Sequence, residues 1–268
     1  MERSNIDEKI KLLTGNGMWH TQEVEGLPSV HLSDGPHGLR KQEEKERQNN
    51  VSLVSTCYPT ASALACSWDV TAAERLGRAV AKEAWNADVA VLLGPGINMK
   101  RSPLCGRNFE YFSEDPFLAG RLGAAYVSAA QGEDVAVSLK HFAANNQETN
   151  RQTSNSQIDE RALREIYLSA FEYVVKTARP ATIMASYNRL NGYYACENRH
   201  LLTEILREEW GFDGVVISDW GACADLAKAV KAGMDLEMPD SHGIHARKLK
   251  AALKAGEILS LIHISEPT

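Results

Sequence analysis

The sequence predicts an α/β fold built on a parallel sheet, either a TIM-like (β/α)8 barrel or a doubly wound sheet. Three observations lead to this prediction: short runs of β-branched residues, amphipathic helical patterns between several of them, and polar residues directly after most of the runs. About seven runs are convincing strands. The barrel that we prefer is therefore irregular, or it contains a strand that the pattern does not reveal.

The candidate strands are short apolar runs bounded by turn-forming or charged residues. They lie at residues 30–33, 61–65, 89–93, 135–140, 182–186, 214–218 and 234–237. The run at 214–218 shows the pattern most clearly, because Val215, Val216 and Ile217 are consecutive and leave no polar face. A continuous run of this kind is typical of a buried parallel strand.

Helical periodicity separates several of these strands. In residues 159–178 the apolar side chains recur on one face, acidic residues occupy the first turn, and Pro180 follows the end. Residues 71–85 repeat the pattern. Residues 201–210 repeat it again before Gly211, which is a favourable residue after a helix C-terminus. A last amphipathic helix extends to Gly256.

Length and composition exclude several classes of protein. The chain has 268 residues, of which 44% are hydrophobic and 24% charged, as expected for a soluble globular protein of one large or two small domains. The formal net charge of −6 and the lack of a Lys/Arg cluster argue against a nucleic-acid partner. There is no apolar stretch of about 18 residues, so we expect no membrane span. The charged, amphipathic residues 1–13 lack the apolar region of a signal peptide.

The cysteines indicate a reducing compartment. They are Cys57, Cys66, Cys105, Cys196 and Cys223, an odd number without Cys-x-x-Cys spacing. This arrangement fits reduced thiols in a cytoplasmic protein better than a disulfide framework or a zinc site. We therefore expect neither a metal nor another cofactor.

Polar residues lie where the predicted strands end. Asp34 follows the first strand, and later strands end at or before Lys140-His141, Tyr187, Asp219-Trp220 and Glu237. Loops are commonly polar, but His, Tyr and Trp are not generic loop residues. The pattern therefore favours a functional site at the C-terminal mouth of a barrel.

Asp219 is the most informative of these residues. A carboxylate at the end of a barrel strand can attack a sugar and form a glycosyl ester, and the neighbouring indole of Trp220 offers the sugar ring an apolar wall. On position alone, a structural role is equally open, because Asp often caps the helix that follows a strand.

Two other loops contain candidate residues with open alternatives. Asp34 lies in a Gly-Pro turn, where its carboxylate could accept from two sugar hydroxyls or satisfy N–H groups of its own turn. Arg107 and Glu110 belong to a long loop, residues 94–110, and could face the site or form a loop-stabilising ion pair.

Lys140, His141 and Arg151 bracket a further polar loop. They could hydrogen-bond sugar hydroxyls and keep Asp219 ionised by their opposite charge. Lys140 alone could instead form a Schiff base, as in an aldolase. That chemistry requires a carbonyl substrate and an apolar pocket, and the polar neighbours argue against it.

Taken together, seven ordered segments resemble the N-terminal barrel of glycoside hydrolase family 3, and most closely its bacterial β-glucosidases. The resemblance covers roughly residues 5–257 and is carried by residues 15–21, 33–42, 94–116, 140–151, 159–167, 186–192 and 218–222. It implies that Asp219 is the nucleophile and that Trp220 lines the subsite for the non-reducing sugar. The residues that it implies for binding the sugar hydroxyls are Asp34, Arg107, Lys140, His141, Arg151 and Tyr187. Glu110 and Glu237 are then expected to support the pocket.

The resemblance also implies a missing proton donor. Family β-glucosidases take their acid/base glutamate from a second, α/β-sandwich domain, and a subset uses a histidine in the loop after Lys-His-Phe. Here that loop reads Ala143-Ala144-Asn145-Asn146. We therefore expect residues 1–257 to be the catalytic barrel, with the C-terminal domain absent. Residues 258–268 resemble translated sequencing-adaptor read-through.

The predicted function is that of a retaining exo-β-glucosidase acting on terminal β-D-glucosyl residues, in the form of a fragment that lacks the acid/base domain. The expected partner is a small β-glucoside or an oligosaccharide. The alternatives are a sugar-binding barrel with little turnover and β-xylosidase-type specificity.

Overall fold

The computed structural model describes residues 6–42 and 51–258. The strands are β1 (Gly15–Asn16), β2 (His20–Thr21), β3 (Leu32–Asp34), β4 (Val91–Leu93), β5 (Ala136–Phe142), β6 (Asn155–Ser156), β7 (Thr182–Ala185), β8 (Arg189–Leu190), β9 (Tyr193–Tyr194) and β10 (Val215–Ser218). The α-helices are α1 (Ile6–Leu12), α2 (Ala61–Ala65), α3 (Val70–Asn86), α4 (Pro116–Gln131), α5 (Glu160–Ala162), α6 (Ser169–Ala178), α7 (Leu226–Ala232) and α8 (Ile244–Lys254). Two segments are π-helical, Leu163–Tyr167 and His200–Glu209, and Asn108–Glu110 and Ala195–Glu197 form short 3₁₀ turns.

Five strands form a parallel sheet in the order β10–β7–β5–β4–β3. Its two edges are joined by the hairpin of β1 and β2. On one edge Ile217 pairs with Leu236, and Glu237 pairs with Thr14 just before β1. On the other edge His20 of β2 pairs with His31 just before β3.

The five strands, the segment 236–237 and the two hairpin strands therefore close a ring of eight, in which β2 is antiparallel to its neighbours. This arrangement confirms the predicted (β/α)8 barrel and its irregularity, and it excludes the doubly wound sheet. The reversed hairpin supplies the strands that the sequence pattern did not reveal.

Side chains alternate between the interior of the barrel and the layer of helices around it. The interior cluster consists of Leu32, Val91, Leu93, Met184, Ile217, Leu236 and Met238. Residues between them, such as Leu92, Ile183 and Val216, belong to the larger cluster between strands and helices. By this alternation Asp34 and Asp219 lie on the same face as Leu32 and Ile217, so both carboxylates are directed to the mouth of the barrel.

Helices α3 and α4 pack against each other in the outer layer. Their N-termini are capped by Asp69 and Asp115, whose side chains accept from backbone N–H groups of the first turn. The backbones approach closely at Gly77, where an added Cβ would lie 2.5 Å from the carbonyl oxygen of Tyr126. A side chain at this position would have to displace the α4 backbone.

One predicted strand is wrong, because residues 61–65 form α2. The Thr60 side chain caps this helix by accepting from the N–H of Ala63, and Ala-Ser-Ala-Leu-Ala favours a helix over a strand. The predicted helices at 71–85, 159–178 and 201–210 are confirmed, although the last is π-helical and the second contains a π-helical stretch.

None of the helices in the described part of the chain is long and apolar enough to cross a membrane. All five cysteines are free thiols. The expected read-through tail lies, apart from Ile258, outside the described residues.

Candidate active site

The polar residues predicted from the strand ends converge at the C-terminal mouth of the barrel. Asp34 ends β3, Lys140 and His141 lie near the end of β5, and Asp219 follows β10. Contacts join them across the mouth: Lys140 Nζ donates to Asp34 Oδ1 at 3.0 Å, and His141 Nε2 lies 3.7 Å from Asp219 Oδ2.

The Asp219 carboxylate is buried, with 7% of the residue exposed. Its Oδ1 accepts a hydrogen bond of 2.8 Å from the N–H of Trp220. Its Oδ2 is buried without a hydrogen-bond partner, although Arg107 Nη1 lies 3.9 Å away. A buried acceptor left unpaired costs about 1–3 kcal/mol, and a ligand that donates a hydrogen bond to this oxygen would remove that cost.

Burial raises the pKa of the Asp219 carboxyl above its ordinary value, because the charged form loses its hydration. The Arg107 guanidinium, the Trp220 N–H, Lys140 and Arg151 lower it, but they do not offset the burial. The basic residues therefore act on Asp219 in the expected direction, and desolvation is nevertheless the larger effect.

His141 is held by four hydrogen bonds to three residues. Arg107 Nη2 lies 2.7 Å from Nε2, and Tyr111 Oη lies 3.0 Å from Nδ1. The Asn98 side chain binds both the N–H and the carbonyl of the His141 backbone, at 2.7 and 2.8 Å. Burial, reinforced by the charges of Arg107, Lys140 and Arg151, holds the pKa of His141 well below its ordinary value.

The ring of His141 is therefore neutral, and its tautomer follows from its partners. Arg107 can only donate, so Nε2 accepts and Nδ1 carries the proton toward Tyr111. His141 Nε2 thus cannot donate to Asp219, and the contact of 3.7 Å between them is not an ion pair.

Lys140 is buried between two carboxylates. Its Nζ lies 3.0 Å from Asp34 Oδ1 and 3.5 Å from Glu110 Oε2. Burial alone would lower the pKa of Lys140, but Asp34 and Glu110 raise it above its ordinary value. Likewise burial would raise the pKa of Asp34, but the Lys140 ammonium holds it below its ordinary value. Both partners are charged.

An aromatic wall flanks the opening on the Asp219 side. The rings of Trp220 and Trp19 lie 5.3 Å apart, and Trp220 Nε1 donates to the carbonyl of Met18 at 2.9 Å. Tyr187 Oη donates to the Trp220 carbonyl at 2.8 Å, and the guanidinium of Arg151 lies 4.4 Å from the centre of the Tyr187 ring. Hairpin β1–β2 therefore fixes the orientation of the indole.

Glu110 joins this group of residues, whereas Glu237 does not. Glu110 is buried and accepts from Arg107 Nε at 2.5 Å. Glu237 lies between Leu236 and Met238, which face the barrel interior, so its own side chain is directed outward. There it contacts His245 Nδ1 at 2.5 Å. Within the part of the chain that the structure describes, the Glu237 side chain bonds to none of the other predicted site residues, so its support of the pocket stays a prediction.

The structure therefore brings together most residues predicted from the sequence, namely Asp34, Arg107, Glu110, Lys140, His141, Arg151, Tyr187, Asp219 and Trp220. It adds Trp19, Asn98 and Tyr111. Trp19 could be found in the sequence as a tryptophan in a Gly-rich turn. Asn98 and Tyr111 contact the site through His141, and no sequence pattern indicates them.

The chain is similar to known proteins over most of its length. The family model described as Glycosyl hydrolase family 3 N terminal domain matches residues 36–266. Thermostable beta-glucosidase B of Acetivibrio thermocellus is 52% identical over 262 residues, covering 96% of this chain and 35% of the relative. An exo-alpha-(1->6)-L-arabinopyranosidase of Bifidobacterium longum is 51% identical over 242 residues, covering 88% of this chain and 32% of the relative.

A solved structure with bound sugar has the same fold. Beta-glucosidase 3B from Thermotoga neapolitana, determined in complex with glucose, superposes with a TM-score of 0.89 at 40% sequence identity. The match covers 95% of this chain and 39% of that one. The chain thus spans about one third of the length of the curated relatives it matches.

Proposed function

The chain belongs to glycosyl hydrolase family 3, and from this premise we propose that it forms the nucleophile-bearing barrel of a retaining exo-β-glucosidase. The substrate class is a glycoside or oligosaccharide with a terminal, non-reducing β-D-glucosyl residue. The observation that carries the proposal is Asp219 Oδ2, a buried carboxylate oxygen without a partner at the barrel mouth, beside an indole and a set of hydrogen-bonding side chains.

In the proposed reaction Asp219 Oδ2 attacks the anomeric carbon while the bond to the leaving oxygen breaks, and that oxygen takes up a proton. Water then attacks the same carbon, gives up one proton to the group that protonated the leaving oxygen, and releases Asp219 as a carboxylate. The Lys140–Asp34 pair offers both donors and acceptors to sugar hydroxyls, and Arg107 lies close enough to Asp219 to stabilise its ionised form. Trp220 supplies the apolar face for the ring.

The proton donor is the part of this chemistry that the described residues do not supply. Glu110 is engaged by Arg107 and Lys140, and Glu148 is engaged by Arg151 at 3.0 Å. His141 is neutral, with its one N–H directed to Tyr111. We propose that the acid is a residue of the whole protein outside the described residues, as the acid/base glutamate of family β-glucosidases implies.

The test is covalent trapping of the intermediate. A 2-deoxy-2-fluoro glucoside with a good leaving group is incubated with the protein, and the labelled peptide is identified by mass spectrometry. We expect one glucosyl adduct, on Asp219, and none after Asp219→Ala. An Asp34→Ala variant serves as the matched control, since it should slow the labelling and leave its position unchanged. A label on another carboxylate would overturn the assignment of Asp219.

The second candidate function is hydrolysis of a pentopyranoside, and one specific observation favours it. The Bifidobacterium longum relative, named for an arabinopyranoside, is almost as similar to this chain as the β-glucosidase is. A pentopyranoside lacks the exocyclic hydroxymethyl group of glucose. Comparison of kcat/KM for aryl β-glucoside, β-xyloside and α-L-arabinopyranoside decides between a hexose and a pentose substrate.

The aldolase alternative loses its support. A Schiff base requires an uncharged amine, and two carboxylates raise the pKa of the Lys140 ammonium. Borohydride should therefore trap no carbonyl compound on Lys140. We also propose a cytoplasmic, reducing location, which is consistent with five free thiols.

A further inference from the structure

A second polar cluster lies on the outer side of the barrel, and the proposed glycosidase chemistry does not use it. It consists of Cys223, Glu237 and His245, which we call the outer triad. The three residues come from different places: the loop between β10 and α7, the strand segment 236–237, and the first turn of α8. One sulfur, oxygen or nitrogen atom of each lies within 4.8 Å of the other two.

Two members of the outer triad are almost fully buried, and the third is partly accessible to solvent. Cys223 and Glu237 are 5% and 3% exposed, whereas 16% of the His245 side chain is accessible. His245 Nδ1 lies 2.5 Å from Glu237 Oε1. The Ser241 hydroxyl donates to Glu237 Oε2 at 3.5 Å, and the N–H of His245 donates to Ser241 Oγ at 3.2 Å. These bonds orient the carboxylate and the ring toward each other.

The surroundings of the triad carry negative charge. Burial raises the pKa of the Cys223 thiol, and Cys196, Glu237, Glu197 and Asp225 raise it further. Burial also raises the pKa of Glu237, with Asp240 adding to the effect and His245 opposing it. The acidic side chains near Cys223 therefore give this place a negative charge that a cation can neutralise.

We propose that Cys223, Glu237 and His245 bind one thiophilic divalent cation, with Zn²⁺ as the best match. Thiolate, imidazole and carboxylate are all zinc ligands, with bonds of about 2.0–2.3 Å, and the sulfur donor disfavours Mg²⁺ and Ca²⁺. Tetrahedral zinc places its donors about 3.5 Å apart, so small side-chain adjustments suffice. Three protein ligands leave the fourth position to water.

The charge of the complex balances in this buried place. On binding, the Cys223 thiol loses its proton to solvent, and bonds to the cation replace the contact between Glu237 and His245. A thiolate and a carboxylate then neutralise the two charges of the cation, while the imidazole stays uncharged. An uncharged complex avoids the desolvation cost of a buried net charge.

Metal binding would act on the segment that carries Asp219. The N–H of Ala222 donates to the carbonyl of Asp219 at 2.9 Å, and the N–H of Gly221 donates to the carbonyl of Met238 at 2.8 Å. Cys223 directly follows Gly221 and Ala222 in the chain. A metal bound to Cys223 and His245 would therefore join the loop after the proposed nucleophile to α8. A cation that binds only the folded state also raises its stability.

Cobalt is the probe, because thiolate bound to Co²⁺ gives a charge-transfer absorption in the near ultraviolet. The 268-residue chain, freed of metal by chelator, is titrated with Co²⁺ and then with Zn²⁺. We expect an absorption that saturates at one equivalent of Co²⁺ and disappears on addition of Zn²⁺, together with an upward shift of the melting temperature.

Variants locate the ligands. Cys223→Ser should abolish the charge-transfer band and weaken Zn²⁺ binding by about 100-fold or more, since even loss of an outer partner of a metal ligand costs about 10–100-fold. Cys57→Ser and Cys66→Ser, which remove exposed thiols, are controls and should retain the band. If Cys223→Ser does not fold, as judged by circular dichroism, His245→Gln at the exposed side provides the same test through Zn²⁺ affinity. The proposal is overturned if the wild-type chain shows no band, if the band survives Cys223→Ser or is lost in Cys66→Ser, or if His245→Gln binds Zn²⁺ as tightly as wild type.

Discussion

At the scale of single residues, the surroundings of Asp219 disfavour the ionised form of its carboxyl group. Burial removes water from the carboxylate, one oxygen has no partner, and the nearby cations compensate only in part. An arrangement of this kind stabilises a protein less than an inert side chain would, and it is expected where reactivity is required.

The first prediction concerns stability. The folded-state pKa of Asp219 is raised, so ionisation destabilises the folded protein once the pH exceeds the unfolded value near 3.9, and this penalty grows as the pH rises through the folded pKa. Asp219→Asn should therefore increase the free energy of unfolding at neutral pH by on the order of 1 kcal/mol, the cost of one unpaired buried acceptor. The gain should vanish at a pH below the unfolded value.

Asp34→Asn is the matched control, because the pKa of Asp34 is shifted in the opposite direction. Its charge stabilises the folded state above the unfolded pKa, and that contribution is lost as the pH falls through the folded value. The control variant should be less stable than wild type at neutral pH. Urea unfolding at several pH values measures both, and the same sign for the two variants at neutral pH would contradict the electrostatic argument.

The second prediction concerns specificity. The resemblance places Asp34 against sugar hydroxyls that include the 6-OH, which xylose and arabinopyranose lack. Asp34→Ala should lower kcat/KM for an activated aryl β-glucoside by roughly 5–150-fold more than for the β-xyloside, corresponding to about 1–3 kcal/mol for one unpaired polar group. Equal losses on both substrates would remove Asp34 from this role.

Position along the chain was sufficient to predict the residues that end strands, such as Asp34, Lys140 and Asp219. It could not predict Asn98, which supports the His141 backbone, because only a contact in the folded structure identifies this residue. Glu237 was grouped with the site because the sequence did not reveal which face of its strand points inward. In the structure, the alternation of side chains along this segment shows that Glu237 points outward.

At the scale of secondary-structure elements, the amphipathic helices were predictable and the buried ones were not. Helix α4 is rich in alanine and glycine and is buried over most of its length, so its polar face is reduced to Arg121, Ser128 and Gln131. Strands β1 and β2 have two residues each and belong to a Gly-rich turn. Their pairing depends on β3 and on the segment 236–237, which are distant in sequence.

The third prediction tests the contact between α3 and α4. Gly77→Ala introduces a Cβ that would lie 2.5 Å from the Tyr126 carbonyl oxygen, so the α4 backbone must move. We expect the free energy of unfolding to fall by about 1–3 kcal/mol, as in other overpacked contacts, despite the higher helix propensity of alanine.

Gly106→Ala is the control for this prediction, since an added Cβ there meets no atom within 4 Å. Its stability, measured by urea denaturation, should stay close to that of wild type. A Gly77→Ala variant as stable as Gly106→Ala would show that the two helices can separate without cost.

At the scale of the whole molecule, the described residues contain the proposed nucleophile and the proposed sugar-binding side chains, but no available proton donor. The fourth prediction is that the 268-residue chain, assayed alone, depends strongly on the leaving group. A dinitrophenyl β-glucoside should react far better than an alkyl β-glucoside, because a positioned acid contributes about 10²–10⁴-fold. Azide, which needs no base, should accelerate release of the glucosyl enzyme.

Steady-state rates on a series of glucosides measure this dependence, and Asp219→Ala should abolish turnover throughout the series. Hydrolysis of cellobiose at an ordinary kcat of about 10 s⁻¹ would contradict the prediction. One of the carboxyl groups in the chain, Glu110 or Glu148, would then have to act as the acid.

The closure of the barrel through hairpin β1–β2 has a consequence for biosynthesis. Thr14 pairs with Glu237, so the first and last strands of the ring are neighbours. A chain emerging from the ribosome can pair β3, β4, β5, β7 and β10 in turn, but the gap between β10 and the hairpin stays open until residue 237 has left the ribosome. Until then both sheet edges expose unpaired backbone groups. The nascent polypeptide is thus prone to aggregate until residue 237 has emerged, and a chaperone can protect it during this interval.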